Sequence, residues 1–174
     1  EKNPPEKAIY DSLIKAPGLH RKRHNGFAIG NPKPKDKFNF APFWAEIEHF
    51  FSNSENQARS LEALGLKLTA PPFGLKRGVL PLVYVLAILR YQDDLALYEN
   101  KIYTPYLTKE LVERLTKRPQ DFTVQRFKID GLRQSIFKEY ADALFSEADK
   151  VNDIISVARP LAKFLVELPE YTQQ

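Results

Sequence analysis

Apolar residues recur at spacings of three and four along much of this chain, and at alternate positions in a few short runs. Residues 5–15 form a short helix candidate with Ile9, Leu13 and Ile14 on one side, stopped by Pro17-Gly18. The run LHRKRHNGFAIG follows. Asn25-Gly26 is a turn signal, and it predicts a hairpin with strands near 19–24 and 27–31. NPKPKDK then reads as a loop, because Pro32 and Pro34 remove backbone donors and restrict their neighbours.

From Ala41 the spacing is helical, with Pro42 at home in the first turn. Phe43, Ile47, Phe50 and Phe51 make an aromatic stripe beside Trp44, with Glu46 and Glu48 facing water. The polar residues 52–55 break or bend this helix. Ala58, Leu61, Leu64, Leu66 and Leu68 continue an apolar face, with Gly65 as its expected C-cap. Pro71-Pro72-Phe73-Gly74 has no helical future. Beyond it, residues 79–91 hold almost no polar side chain and predict the most buried element. Thirteen residues favour a helix there, although the β-branched content also permits a strand.

Asp93-Asp94 marks a turn, and 95–98 with 102–104 read as a hairpin closed by Glu99-Asn100-Lys101. Thr108 is the expected N-cap of a helix over 109–117 with Leu111, Val112 and Leu115 inward, ended by Pro119. Residues 122–129 alternate as a half-buried strand. Two further helices are predicted, over 132–145 and from Asp149 to about Leu165, the second kinked or split at Pro160. The fold class expected is mainly α with small β-hairpins (α+β), winged-helix-like. The segments expected are 1–67 with the basic loop, 68–130 as the winged-helix-like module, and 131–174 as C-terminal helices.

Composition narrows the function classes. With 174 residues and 43% apolar content the chain can bury a sizeable core. The apolar run at 79–89 is 11 residues, short of the roughly 18 that would span a bilayer, so no membrane partner is expected. The absence of cysteine excludes disulfide, thiolate and Cys-zinc chemistry, and makes a cytoplasmic setting the default expectation. The absence of methionine, even at position 1, suggests a piece of a longer protein.

Charge is concentrated. Between Lys15 and Lys37 seven basic residues face one acid, a net of +6, so the rest of the +4 chain sums to −2. This is the form of charge that attracts phosphate, and the candidate contacts are Arg21, Lys22, Arg23, Lys33, Lys35 and Lys37. Lys76 and Arg77, between Gly74 and Gly78 and ahead of the apolar helix, are further candidates for an anion. Each also reads as ordinary solvated surface or as a tight turn. Tyr98, Tyr103 and Tyr106, with Lys101 at the hairpin tip, read as a base-stacking wing or, more simply, as sheet packing.

Catalytic signals are weak. His20 and His24 have a metal-ligand spacing but cationic neighbours and no third ligand. His49 stands alone. Asp93-Asp94 and Glu110/Glu113 are carboxylate pairs without a pocket to shift their pKa values. Neither a nucleophile elbow nor a nucleotide-binding loop occurs. The expectation is therefore no catalytic, cofactor-binding or metal-binding residue.

The segment PPFGLKRGVLPLVYVLAILRYQDDLALYENKIYTPYLTKELVERLTKRPQDFTVQ resembles an internal segment of very large bacterial P-loop ATP-binding proteins. That segment follows their nucleotide-binding core, and some of these proteins sit in phage-defence and restriction-type gene clusters, including the BREX type. Pro71, Pro72, Phe73 and Gly74 match the family's Pro-Pro-aromatic-Gly turn, and 79–89 matches its hydrophobic helix. About 60 of 174 residues are covered. The resemblance implies a non-catalytic, winged-helix-like module beside an ATPase engine, touching DNA, a partner subunit or another domain of the parent protein. The alternative is a structural connector whose basic loop is merely solvated.

Overall fold

The computed structural model describes residues 4–23, 26–34, 39–128, 155, 158 and 162–163. The order is α1 (Pro5–Tyr10), a π-helical turn (Asp11–Lys15), β1 (His20–Arg23), β2 (Gly26–Ile29), α2 (Phe40–Ser52), β3 (Arg59–Ser60) and α3 (Leu61–Thr69). A 3-10 turn (Arg77–Val79) leads into α4 (Leu80–Arg90), β4 (Leu95–Glu99), β5 (Ile102–Tyr103) and α5 (Lys109–Lys117). A second 3-10 turn (Pro119–Asp121) precedes β6 (Phe122–Arg126). The fold is α+β, as expected. The helices predicted over 132–145 and 149–165 fall almost wholly outside the described residues. No helix among the described residues is long and apolar enough to cross a membrane.

Two compact units divide the chain. The first comprises Glu1–Phe50 and Leu64–Arg90, the second Phe51–Ala63 and Tyr91–Gln174. Each is therefore assembled from two separate stretches of sequence.

The first unit holds the β1–β2 hairpin and most of the helical residues. Leu19, Trp44, Ile47, Phe50, Leu64, Leu68, Tyr84 and Ala87 are buried. α2 keeps its predicted aromatic stripe. α3 corrects two expectations. Gly65 lies inside the helix rather than at its end, and a Cβ there would clash with the Tyr84 hydroxyl. Glycine is what lets the buried Tyr84 ring approach the α3 backbone. Leu66, expected on the apolar face, is 60% exposed, because two residues from both Leu64 and Leu68 is the opposite side of the helix. α4 is a helix rather than a strand. Leu89 remains exposed, so burial does not extend all round it. The turn before it matches the breaker pattern, with Gly74 at φ +60 and a cis Pro71-Pro72 peptide.

The second unit holds a four-stranded antiparallel sheet in the order β3-β6-β4-β5. β4 pairs with β6 through Leu97↔Val124 and with β5 through Tyr98↔Tyr103. Phe122 and Val124 are fully buried and alternate with half-buried Thr123 and Gln125, as a one-sided strand requires. α5 begins where expected, with the Thr108 side chain accepting from the Leu111 N–H. β3 is too short to leave a sequence pattern. Ser54, fully buried, pins it nearby: its Oγ donates to Phe51 O at 2.6 Å and accepts from the Arg126 N–H at 3.1 Å.

Arg126 is the main polar fastener of that unit. Its Nε donates to Asp94 Oδ2 at 2.6 Å and its Nη1 to Ser52 Oγ at 3.0 Å, while the guanidinium lies 5.3 Å from the centre of the Tyr91 ring. The Asp94 carbonyl also accepts from the Phe127 N–H at 2.7 Å. Asp93-Asp94 is thus a turn, and Asp94 serves as a structural anchor within it.

Candidate phosphate-contacting hairpin

The β1–β2 hairpin is built from a polar strand, HRKR, and a small-residue strand, GFAI. Its register is His20↔Ile29, Arg21↔Ala28, Lys22↔Phe27 and Arg23↔Gly26. Gly26 is the first residue of β2 with φ +129, a conformation glycine adopts without steric cost, so it joins the ladder instead of completing an Asn25-Gly26 turn. Directly opposed residues share a face, and so do residues two apart. His20, Lys22, Phe27 and Ile29 therefore line one face, with Arg21 and Ala28 on the other.

The hairpin's root is fixed by hydrogen bonds. Gly30 N–H donates to Leu19 O at 2.7 Å and Lys33 N–H to Pro17 O at 2.9 Å. Arg21 donates through Nε to Gly18 O at 2.9 Å and through Nη2 to Asn31 O. The Asn31 side chain accepts from Arg90 Nε at 2.8 Å, and β2 packs on α4. Gly18, at φ +76, leaves the space that the Lys33 methylenes occupy. The Arg21 guanidinium is thus committed to holding the root, which its position in a basic run does not reveal.

The remaining described cations of the predicted set behave differently. Lys22, Lys33, Lys76 and Arg77 are exposed. Among the described residues none of them, nor Arg21, meets a carboxylate, whereas Lys15, Lys67, Arg114, Arg118, Arg126 and Lys128 all do. Lys35 and Lys37 lie outside the described residues, as does the side chain of Arg23. The predicted patch falls in the first unit throughout, but as two groups. The root of the hairpin is tied to Arg90 at the end of α4, and Arg77 precedes the start of that helix.

An aromatic cluster, missed by sequence reasoning, sits on the Lys22 face. Phe27 is 69% exposed and its ring centre lies 4.6 Å from that of His20. His20 in turn meets Tyr10 edge-on at 5.7 Å, and its Nδ1 forms a short hydrogen bond with the Tyr10 hydroxyl. The signal was in the register: pairing Lys22 with Phe27 brings a cation beside an aromatic ring. His20 is thereby engaged in packing, and His24 lies outside the described residues. No group of three metal-binding side chains occurs among the described residues.

The other candidates resolve as packing or solvated surface. Tyr98 and Tyr103 pack ring to ring at 5.9 Å across β4 and β5, while Tyr106 is half exposed. Glu110 is exposed, and hydrogen bonds from its own N–H and from Thr108 hold its carboxyl below the usual range. A cavity of about 360 Å³ in the first unit lies between α2, the Pro72-Phe73 turn and α4, and no ionisable side chain lines it. It offers no acid, base or nucleophile. Compared with protein-family models, curated proteins and solved structures, the chain matches none.

Proposed function

We propose that this chain is a non-enzymatic interaction module of a larger bacterial ATP-binding protein, cytoplasmic and of the phage-defence kind its sequence resembles, that contacts DNA phosphates through its first unit. The observation that carries this reading is charge left uncompensated. The first unit has thirteen basic and six acidic side chains, a net of +7, and the second thirteen and sixteen, a net of −3. Within the first unit, Lys22, Lys33, Lys76 and Arg77 project from fixed backbone without a carboxylate partner among the described residues. Held cations of this kind release counterions from a nucleic-acid backbone and position a protein without reading sequence.

The winged-helix-like reading of 68–130 rests on chain order, in which α4 is followed by β4, β5, α5 and β6, with β4 and β6 paired antiparallel. β5 and α5 then stand in the place of the wing loop between β4 and β6. α4 would occupy the recognition-helix position, yet its sequence LPLVYVLAILR ends in its one charged residue. With Tyr84 buried and Arg90 donating to Asn31, this helix offers little that could read base edges in a major groove. That assigns nucleic-acid contact to the hairpin and the turn before α4, and predicts binding with little sequence preference.

The test is a titration of binding to duplex DNA against salt. Four phosphate contacts give a slope of about −3.6 in log affinity against log salt, and all eight predicted cations about −7. Absence of binding at low salt would leave the chain a connector between protein domains.

A further inference from the structure

The cations account for attraction to a phosphate backbone, but not for Phe27. An apolar ring with 69% of its surface in water is not part of a core, and its ring partner His20 lies 4.6 Å away, centre to centre. Tyr10 meets His20 by a hydrogen bond and an edge contact, so two rings in series back Phe27. Lys22 stands directly across the ladder on the same face. Building on the phosphate-contact reading, we propose that Phe27 is a stacking platform for an unpaired base, with Lys22 on that nucleotide's phosphate, so that the hairpin prefers single-stranded nucleic acid to duplex.

Accessibility of the π-face separates the two substrates. Inside a duplex each base is covered above and below by its neighbours, and only an unpaired base presents a face to an external ring. A fixed aromatic ring beside a backbone-tracking cation is the pairing that binds single strands with little sequence preference. A bilayer surface would ask for several apolar side chains on one face. Among the described residues of the hairpin the exposed large apolar side chain is a single ring, across the ladder from Lys22 and in a unit of net charge +7.

The test compares the full chain and its Phe27→Ala and Phe27→Trp variants on a short mixed-sequence single strand and on a long duplex of the same sequence, by fluorescence anisotropy at low salt. The wild type should favour the single strand. Phe27→Ala should lose about tenfold on it with duplex affinity little changed, and Phe27→Trp should restore it. Equal weakening on both substrates would assign the ring to hairpin stability, and no change on either would remove it from the contact. Each of these overturns the stacking proposal alone. Failure of the wild type to bind either substrate overturns the phosphate reading together with it.

Discussion

The two units of this chain differ in charge balance and in what their paired cations do. In the second, Arg114 forks onto Glu99 with bonds of 2.6 and 2.9 Å, Arg126 is tied to Asp94, and Lys128 pairs with Glu55 at 2.7 Å. These three fasten the sheet and the turns around it, and although exposed Lys101, Lys109 and Lys117 meet no carboxylate among the described residues, they stand in a unit of net charge −3. In the first, Lys22, Lys33, Lys76 and Arg77 stand without carboxylates among the described residues, the first two on a hairpin whose root is held by the Arg21 and Arg90 bonds to Asn31. Positive charge that is structurally fixed and internally unmatched is available to an outside partner. Charge already paired is not. The division would be hidden in an average, since +7 and −3 sum to an unremarkable +4.

If that contrast is right, substitutions in the second unit should cost stability and leave DNA binding intact, while removal of the unpaired cations should do the reverse. The largest effect is expected from Arg126→Ala. It strips Asp94 and Ser52 of their donor in a setting where the Arg126 side chain is 11% exposed, and should cost about 3 kcal/mol in denaturant unfolding. DNA affinity measured below the melting transition should not move. Next comes Gly65→Ala, in the first unit. Alanine is the better helix former by about 1 kcal/mol, but the clash with Tyr84 should outweigh it and leave a net loss of roughly 1–2 kcal/mol. A gain in stability there would show that Tyr84 can move aside.

Removing unpaired cations should act on binding alone. Each of Lys22→Ala and Arg77→Ala should weaken DNA affinity by roughly tenfold near 0.1 M salt and reduce the salt slope by about 1, with the melting temperature unchanged. An equal loss from Lys128→Ala would break the comparison.

The smallest effect is a pH signature in the second unit. The Arg114 hydrogen bonds and charge hold the Glu99 carboxyl below its ordinary value of 4.5. A carboxylate whose folded pKa is depressed stabilises the fold above its unfolded pKa and loses that contribution as pH falls through the folded value. Glu99→Gln should therefore melt slightly below wild type at neutral pH, with the gap closing below about pH 4.5. A gap that persists in acid would mean the pair acts by shape rather than charge.

Elements with a long local pattern were legible in the sequence. The stripe of Phe43, Ile47, Phe50 and Phe51 specified α2, Thr108 specified the start of α5, and the alternation at Phe122 and Val124 specified β6. What escaped depends on partners distant in sequence. Gly65 looked like a helix end because the Tyr84 ring that requires glycine lies 19 residues away. Leu66 faces water because it stands two residues from both Leu64 and Leu68, which puts it on the opposite side of a helix from the buried stripe. The basic run was visible, but not that Arg21 holds the root of the hairpin while Lys22 does not, because the Gly18 and Asn31 carbonyls that take Arg21 are a tertiary arrangement. The division into interleaved units follows from sheet order, which no contiguous window of sequence contains.

The most direct test of the central claim is the salt dependence of duplex DNA binding by the wild type alongside a Lys22→Ala, Lys33→Ala, Lys76→Ala, Arg77→Ala variant. The account predicts a wild-type log–log slope of about −3.6 or steeper, flattened by about 3.6 in the variant with the same melting temperature. Equal slopes for the two proteins, or no binding by either at low salt, would contradict it.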